Sequence, residues 1–394
     1  MESMLSGIKV IDLTSFLSGP FCTMTLSDMG ANVIKIENPD EGCPTRQTPP
    51  FVNGQSAYFM SLNRGKKGVT LNLKDSQGKD ILRKLLQDAD VLVENFRPKV
   101  MDRLGFGYDE VVKINSRIIF ASISGFGQYG PDSKKGAFDM VIQGAGGVMS
   151  ITGNPGGDPV RVGYSIGDLA ASLYAVIAIV GALRVRELTG EGQYLDISMF
   201  DCQIALLENA IARYNATNEI PGPLGSRHPS IVPFQAFKAQ DGYFIVTAST
   251  DEQFKHLCDV VGLADLPQDK RFSTKPNRVK NREALIPILN DVLRKQTKEY
   301  WIRKLEENAV PCGPINNIKE VIESPHTKAR EMVVTIEHPV EGALKTAGIP
   351  IKASKTPLSI QGPAPLLGKH TDMILSELGY SENEIATLKN NKII

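Results

Sequence analysis

Residues 7–37, GIKVIDLTSFLSGPFCTMTLSDMGANVIKIE, change hydrophobic period twice: an apolar run to Leu13, a Ser/Gly/Pro loop, a helix ending near Gly30, then the apolar run VIKIE. Such a strand–helix–strand unit implies parallel strands joined by a right-handed crossover. The pattern returns over Lys74–Phe96, with a helix at about Ser76–Leu86 before DVLVENF, and over Tyr108–Asn115 before IIFASISGFG. Alternation of this kind predicts an α/β fold with a doubly wound, Rossmann-like parallel sheet, helices on both faces and ligands at the carboxyl ends of the strands. The loops to watch therefore follow Leu13, Glu37, Glu94 and Ser124.

Farther along, Tyr194–Ser198 reads as a strand and Asp201–Asn215 as a helix. EIPGPLGSRHPSIVP, residues 219–233, fits neither period and reads as a linker or a long ligand-contacting loop. After it, GYFIVTAS is a strand, and Thr250 and Thr297 are positioned to cap the helices EQFKHLCDVVG and KEYWIRKLEEN. The last part returns to strands, as in MVVTIEHP, and ends in two helices, the second opened by a Ser381-x-x-Glu384 capping box. The expected organisation is a large domain of residues 1–204 with 330–394, a linker at 205–224 and a smaller α+β domain at 225–329.

Residues 161–201, RVGYSIGDLAASLYAVIAIVGALRVRELTGEGQYLDISMFD, place Asp168 at the head of the chain's most apolar segment. Gly163 and Gly167 permit a sharp turn before it. Leu169–Leu188 reads as a buried helix ended by Thr189-Gly190-Glu191-Gly192. An ionised carboxylate at the edge of a core must be satisfied by N–H groups, a cation or a ligand. The residue type and position fit a helix N-cap, and they also fit a nucleophile kept ionised by the positive end of the helix and able to attack an acyl carbon.

Other classes find little support. Lys and Arg total 44, as do Asp and Glu, so no bulk charge favours nucleic acid or an anionic membrane. The 5 cysteines lack CxxC spacing and the 5 histidines lie far apart, so no metal site is expected and a cytoplasmic or reduced organellar compartment is. No basic region precedes a long apolar run near the N-terminus, and the run Leu169–Leu183 is shorter than the ~20 residues that span a bilayer. GFGQYG, GAGG and GNPGG are turn-forming loops without GxGxxG after the first strand, and GxxxxGK[ST] and GxSxG are absent. Arg97, Lys99, Arg103, Lys134 and Lys135 form a basic cluster, either a solvated face or a phosphate contact at the ligand edge; Arg97 follows a strand end.

The chain also resembles, over nearly its whole length, the class III CoA-transferases typified by formyl-CoA transferase and carnitine CoA-transferase. The resemblance is carried by DLTSFLSGPFCTMTLSDMGANVIKIE, VENFRPKVMDRLGFGYD, the GD at 167–168, RELTGEGQYLDISMFD, RHPS at 227–230, VPCGPI and PLLGKHTDMILSELGYSENEI. It implies that Asp168 is the nucleophile, attacking an acyl-CoA thioester to give a mixed anhydride and then an aspartyl-CoA thioester, from which CoA passes to a second carboxylic acid. CoA is then a substrate, with no tightly bound cofactor. Family CoA contacts fall on Ser15, Leu17, Ser18, Asn95, Phe96, Arg103 and Lys135, with Arg97 and Phe138 beside them.

Loop composition adds Gly146 and Gly147 as oxyanion donors. Formyl-CoA enzymes carry His, Gln, Trp and Tyr where this chain has Ser15, Leu17, Thr48 and Phe138, and a glycine run where it has RHPSIVPFQAF. These departures point away from oxalate and towards a dicarboxylate such as succinate, whose distal carboxylate would pair with Arg46 or Arg227. The family's acyl-CoA racemases are the alternative; their His falls at Phe138, which cannot take a proton. The resemblance further implies an interlocked, ring-like homodimer.

Overall fold

The computed structural model describes residues 3–394. The chain divides into two compact units, one comprising the residues up to Val148 with Arg161–Glu219 and Pro325–Ile394, the other Met149–Val160 with Ile220–Ser324. The larger unit holds a six-stranded sheet made of β1 (Lys9–Asp12), β2 (Asn32–Glu37), β3 (Lys67–Thr70), β4 (Val91–Glu94), β5 (Ile119–Ser124) and β6 (Gln193–Ser198), ordered β3-β2-β1-β4-β5-β6. All five neighbouring pairs are parallel. The chain adds strands outward on one side of β1 and then on the other, so the order reverses between β1 and β4. A crevice opens at that switch point.

Alternate strand residues face opposite ways, and this decides the layering. Val10, Val33, Val91, Ile119 and Ala121 join one buried cluster, while Ile11, Ile34, Leu92 and Phe120 join another. Helices α1 (Ser18–Asp28), α4 (Asp139–Ala145), α5 (Ile166–Thr189) and α6 (Met199–Ala205) supply the first cluster. The second receives α2 (Ser76–Gln87), α3 (Tyr108–Ile114), and the C-terminal α8 (Thr371–Glu377) and α9 (Glu382–Asn390). Both faces are thus covered, which is why the strands read as nearly continuous apolar runs. Within α2 the spacing of Ile81, Leu82, Leu85 and Leu86 follows the helix period, and Asp75 caps its start by accepting from Gln77 N–H.

In α5 the buried side is rich in small residues, among them Ala170, Ala171, Ala175 and Ala182, which lets this helix lie close to α1 and the sheet. Gly190, with φ of 81°, closes it in the left-handed conformation. At 24 residues α5 is longer than the apolar run had suggested, and by length and composition alone would cross a membrane; half of its apolar window is buried inside the chain.

The smaller unit is α+β. Phe234–Ala239, Gly242–Thr247 and Cys312–Pro314 form an antiparallel sheet, against which Phe254, Leu257, Leu289 and Trp301 pack from flanking helices. Thr250 caps the helix Asp251–Val260 in a full capping box, and Thr297 accepts from Tyr300 N–H. Two local expectations change. The segment 205–224 is no structureless linker, because Glu208–Thr217 forms helix α7. The helix after the glycines starts at Ile166, one turn earlier than read, so Asp168 is its third residue and Ser165 its cap.

Candidate active site

At the carboxyl end of β1 the chain is tied down by a buried ion cluster. Asp12 accepts from Thr14 and Thr23 and pairs with Lys66 at 3.0 Å and Lys35 at 3.9 Å. Burial alone would raise the Asp12 carboxyl, but Lys35, then Lys66, and the two threonines outweigh it and hold it far below the usual range. This fixes the start of the loop that carries Phe16 and Ser18. Across the switch point, Asn95 after β4 accepts from Ser15 N–H at 2.8 Å and donates to Ser15 O at 2.7 Å. A single amide therefore bridges the two loops that border the crevice.

A cavity of about 330 Å³ lies there, lined by residues from four loops that include Ser18, Asn95, Phe96, Arg97, Lys135, Phe138 and Asp168. Phe16, a non-glycine residue held at φ of 63°, sets its ring edge-on to Phe138 at 5.6 Å. Both rings are largely exposed, at 42% and 68%. An unrelieved left-handed phenylalanine costs free energy and marks a functional loop rather than a packing need.

The Asp168 carboxyl receives hydrogen bonds from the hydroxyl and backbone N–H of Ser18, the first residue of α1. It thus meets the positive ends of two helices, its own and α1. Burial nevertheless dominates, the charge of Asp139 adds to it, and together they push the carboxyl up to about 7 against the Ser18 hydrogen bonds. The expectation of a fully ionised aspartate is corrected accordingly: near neutrality Asp168 is poised between its two states.

Asp139 was not evident from sequence. It opens α4, is buried, accepts from Gly167 N–H at 2.8 Å through Oδ1, and accepts from Gln143 Nε2 at 2.7 Å through Oδ2. Gln143 in turn accepts from Val162 N–H at 2.9 Å. The available signal was the Asp-x-x-x-Gln spacing, which places both side chains on one helix face. Tyr58, in the helix Ala57–Leu62, is also raised, by burial first and then by the charges of Asp168, Cys43 and Asp139, which puts it beside the carboxylate pair.

Other expected residues lie elsewhere. Ser15 and the other side of Phe96 line an adjoining cavity of about 240 Å³ with Asn38 and Lys74. Leu17 caps α1 and lines neither cavity, and Arg103 is an exposed residue of the helix Val100–Leu104 that also lines neither. Arg46 is already engaged: it grips Glu37 through two 2.7 Å hydrogen bonds, donates to Pro365 O, and lies over the Phe59 ring at 3.7 Å. The bidentate edge of this fork is taken by Glu37, so it cannot offer that edge to a substrate carboxylate. Arg227 sits in the smaller unit, bonded to Leu224 O and Glu283.

The oxyanion assignment to Gly146 and Gly147 fails because their N–H groups donate to Ile142 O and Gly144 O at the end of α4. Gly146 serves packing instead, since a Cβ there would come within 2.9 Å of Gln203. Among the described residues no group of three or more His, Cys, Asp or Glu side chains is arranged to hold a metal ion.

Comparison with known proteins points to one family. The sequence pattern of CoA-transferase family III matches residues 5–371. The chain is 40% identical over 392 residues to succinyl-CoA:glutarate CoA-transferase of Homo sapiens, covering 99% of this chain and 90% of that one. It is 44% identical over 349 residues to acetyl-CoA:oxalate CoA-transferase of Acetobacter aceti, covering 88% of each. Among solved structures, a CaiB/BaiF family protein from Brucella suis superposes with a TM-score of 0.86 at 37% identity, over 96% of this chain and 100% of that one.

Proposed function

The chain belongs to CoA-transferase family III, and from that premise we propose that it moves CoA from a succinyl-CoA-type donor to a second dicarboxylic acid, with Asp168 as the nucleophile. The carrying observation is the placement of Asp168 between two helix N-termini in the switch-point cavity, which is also lined by Arg97, a cation with no ion-pair partner among the described residues. The Asp168 carboxylate attacks the thioester carbonyl carbon, the C–S bond breaks, and a mixed anhydride and CoA thiolate result. The thiolate adds to the aspartyl carbonyl carbon, expelling the donor acid and leaving an aspartyl-CoA thioester. An acceptor carboxylate then displaces the thiolate to form a second anhydride, and the thiolate attacks the acceptor's carbonyl, freeing both acyl-CoA and Asp168. Thioester energy passes between carboxylates throughout, and the aromatic lip of Phe16 and Phe138 limits water while an anhydride exists.

Relatives named for glutarate, mesaconate and oxalate support a dicarboxylate acceptor and return oxalate to the candidates. With Arg46 engaged and Lys135 paired with Asp132, Arg97 is the cation of this cavity that would meet CoA phosphates or a distal carboxylate. Proton transfer in the manner of a racemase is disfavoured because no histidine lines the cavity and Phe138 stands on its rim. The exposed apolar stripe of Leu173, Ile177, Val185 and Leu188 on α5 supports a homodimer, interlocked as the family resemblance implies.

A matrix of succinyl-, acetyl- and formyl-CoA against glutarate, succinate, mesaconate and oxalate, read by mass spectrometry of the CoA products, tests the reaction. Borohydride trapping of the covalent CoA ester, followed by peptide mapping, is expected to place the label on Asp168. Label on another residue would remove the nucleophile assignment, and α-deuterium exchange into a 2-methylacyl-CoA would favour racemisation.

A further inference from the structure

The carboxylate pair at this site carries more than a pKa. Asp139 and Asp168 belong to different helices, yet one hydrogen bond joins the first residue of α4 to the backbone immediately before Asp168. Its partner Gly167 is closely approached: a Cβ there would come within 3.1 Å of Asp139 Oδ1 and 3.3 Å of Ile142, so a side chain would have to press these neighbours back. Two residues into α5, the backbone is thus pressed against the Asp139 carboxylate, and Asp168 projects from the next position. The second oxygen of Asp139 is held by Gln143, which extends the grip to Val162 N–H and so to the strand of chain leading into α5. No cation is paired with Asp139 among the described residues, although the carboxylate is 7% exposed. Burying an unpaired carboxylate against a second one is costly, and a purely structural clamp needs only a neutral acceptor.

We propose that Asp139 is the positioning residue of this active site, fixing the turn that carries Asp168 with one oxygen and setting a second carboxylate beside the attacking one. The inference rests on the reading of Asp168 as nucleophile. The charge makes the attacking oxygens more basic and so better nucleophiles once ionised, and it favours collapse of the anhydride, since the leaving carboxylate is repelled by a like charge. The groups that face Asp168 are few. Asp139 comes from α4, Ser18 from the start of α1 and Tyr58 from the helix Ala57–Leu62, with Arg97 and Lys135 as the cations on the cavity wall.

Two substitutions separate clamp from charge. D139A removes both; kcat is expected to fall by about 100-fold, the scale of an ångström-sized misplacement of a reacting group, with the KM for acyl-CoA little changed. D139N keeps the acceptor for Gly167 N–H but turns a donor towards Gln143, a conflict that the companion change in D139N/Q143E relieves.

For D139N/Q143E we expect kcat to recover at least tenfold relative to D139A. The acid limb of the pH–rate profile should move to lower pH by about one unit in D139N, as removal of a near like charge requires, and return towards wild type in the double variant, which restores a carboxylate at residue 143. An acid limb coincident with wild type in D139N would overturn the charge assignment, and full kcat in D139A would overturn the clamp. Trapping decides which idea has failed: label retained on Asp168 with unchanged profiles sinks this inference alone, whereas label elsewhere sinks the nucleophile reading beneath it.

Discussion

Replacing Asp168 with asparagine is expected to stabilise the protein while ending its activity, and the size of the effect follows from the site. The fold holds this carboxyl at about 7 instead of 3.8. Between those two pH values the folded chain keeps a proton that the unfolded chain has lost, so stability falls as pH rises through the window and the full penalty is present above 7. At about 1.36 kcal/mol per pH unit the separation corresponds to about 4 kcal/mol, and partial contact with water brings the expectation to about 2–4 kcal/mol.

D168N preserves the shape and the acceptor that Ser18 bonds, but cannot ionise. In urea unfolding followed by circular dichroism, D168N should exceed wild type by that margin at pH 8, and by about half as much at pH 5.5, where the unfolded carboxyl has gained less from ionisation. A gap independent of pH, or a less stable D168N at pH 8, would show that Asp168 is not desolvated and would refute the electrostatic account of the site.

Arg97 and Arg46 should separate cleanly in steady-state kinetics and thermal melts. R97A is expected to raise the KM for acyl-CoA about 10- to 100-fold, the worth of one charge-assisted hydrogen bond, with little loss of stability. R46A should leave that KM unchanged but cost about 3 kcal/mol by stranding the buried Glu37 carboxylate, whose relative exposure is 5%. The reverse pattern would return Arg46 to the substrate. For the exposed stripe on α5, I177D/L188D is expected to shift the protein from dimer to monomer in sedimentation velocity; an unchanged sedimentation coefficient would place any interface elsewhere.

The strands of the larger unit were legible because a sheet covered on both faces leaves runs such as Val91–Val93 apolar without alternation, and the helices between them declare their caps. The position of Asp168 was legible for a related reason, since a lone carboxylate at the head of an apolar helix has few satisfactory environments. What the residues around it were doing was not legible. Gly167 looked like a turn-former, yet it lies within α5, where Asp139, 28 residues earlier, presses close enough that a side chain would crowd it.

Arg46 shows the same blind spot from the opposite side. It does follow β2, but Glu37, at the end of that strand, lies close enough to hold it. A fixed carboxylate that costs no binding entropy wins over a diffusing one unless something keeps the two apart. Opposite charges bordering one loop are therefore better read first as partners of each other. By that criterion Arg97, which has no ion-pair partner among the described residues and a lip position on the Asp168 cavity, is the cation left for the substrate. Lys99, two residues on, and Lys135, on the same cavity, are held by Asp102 and Asp132.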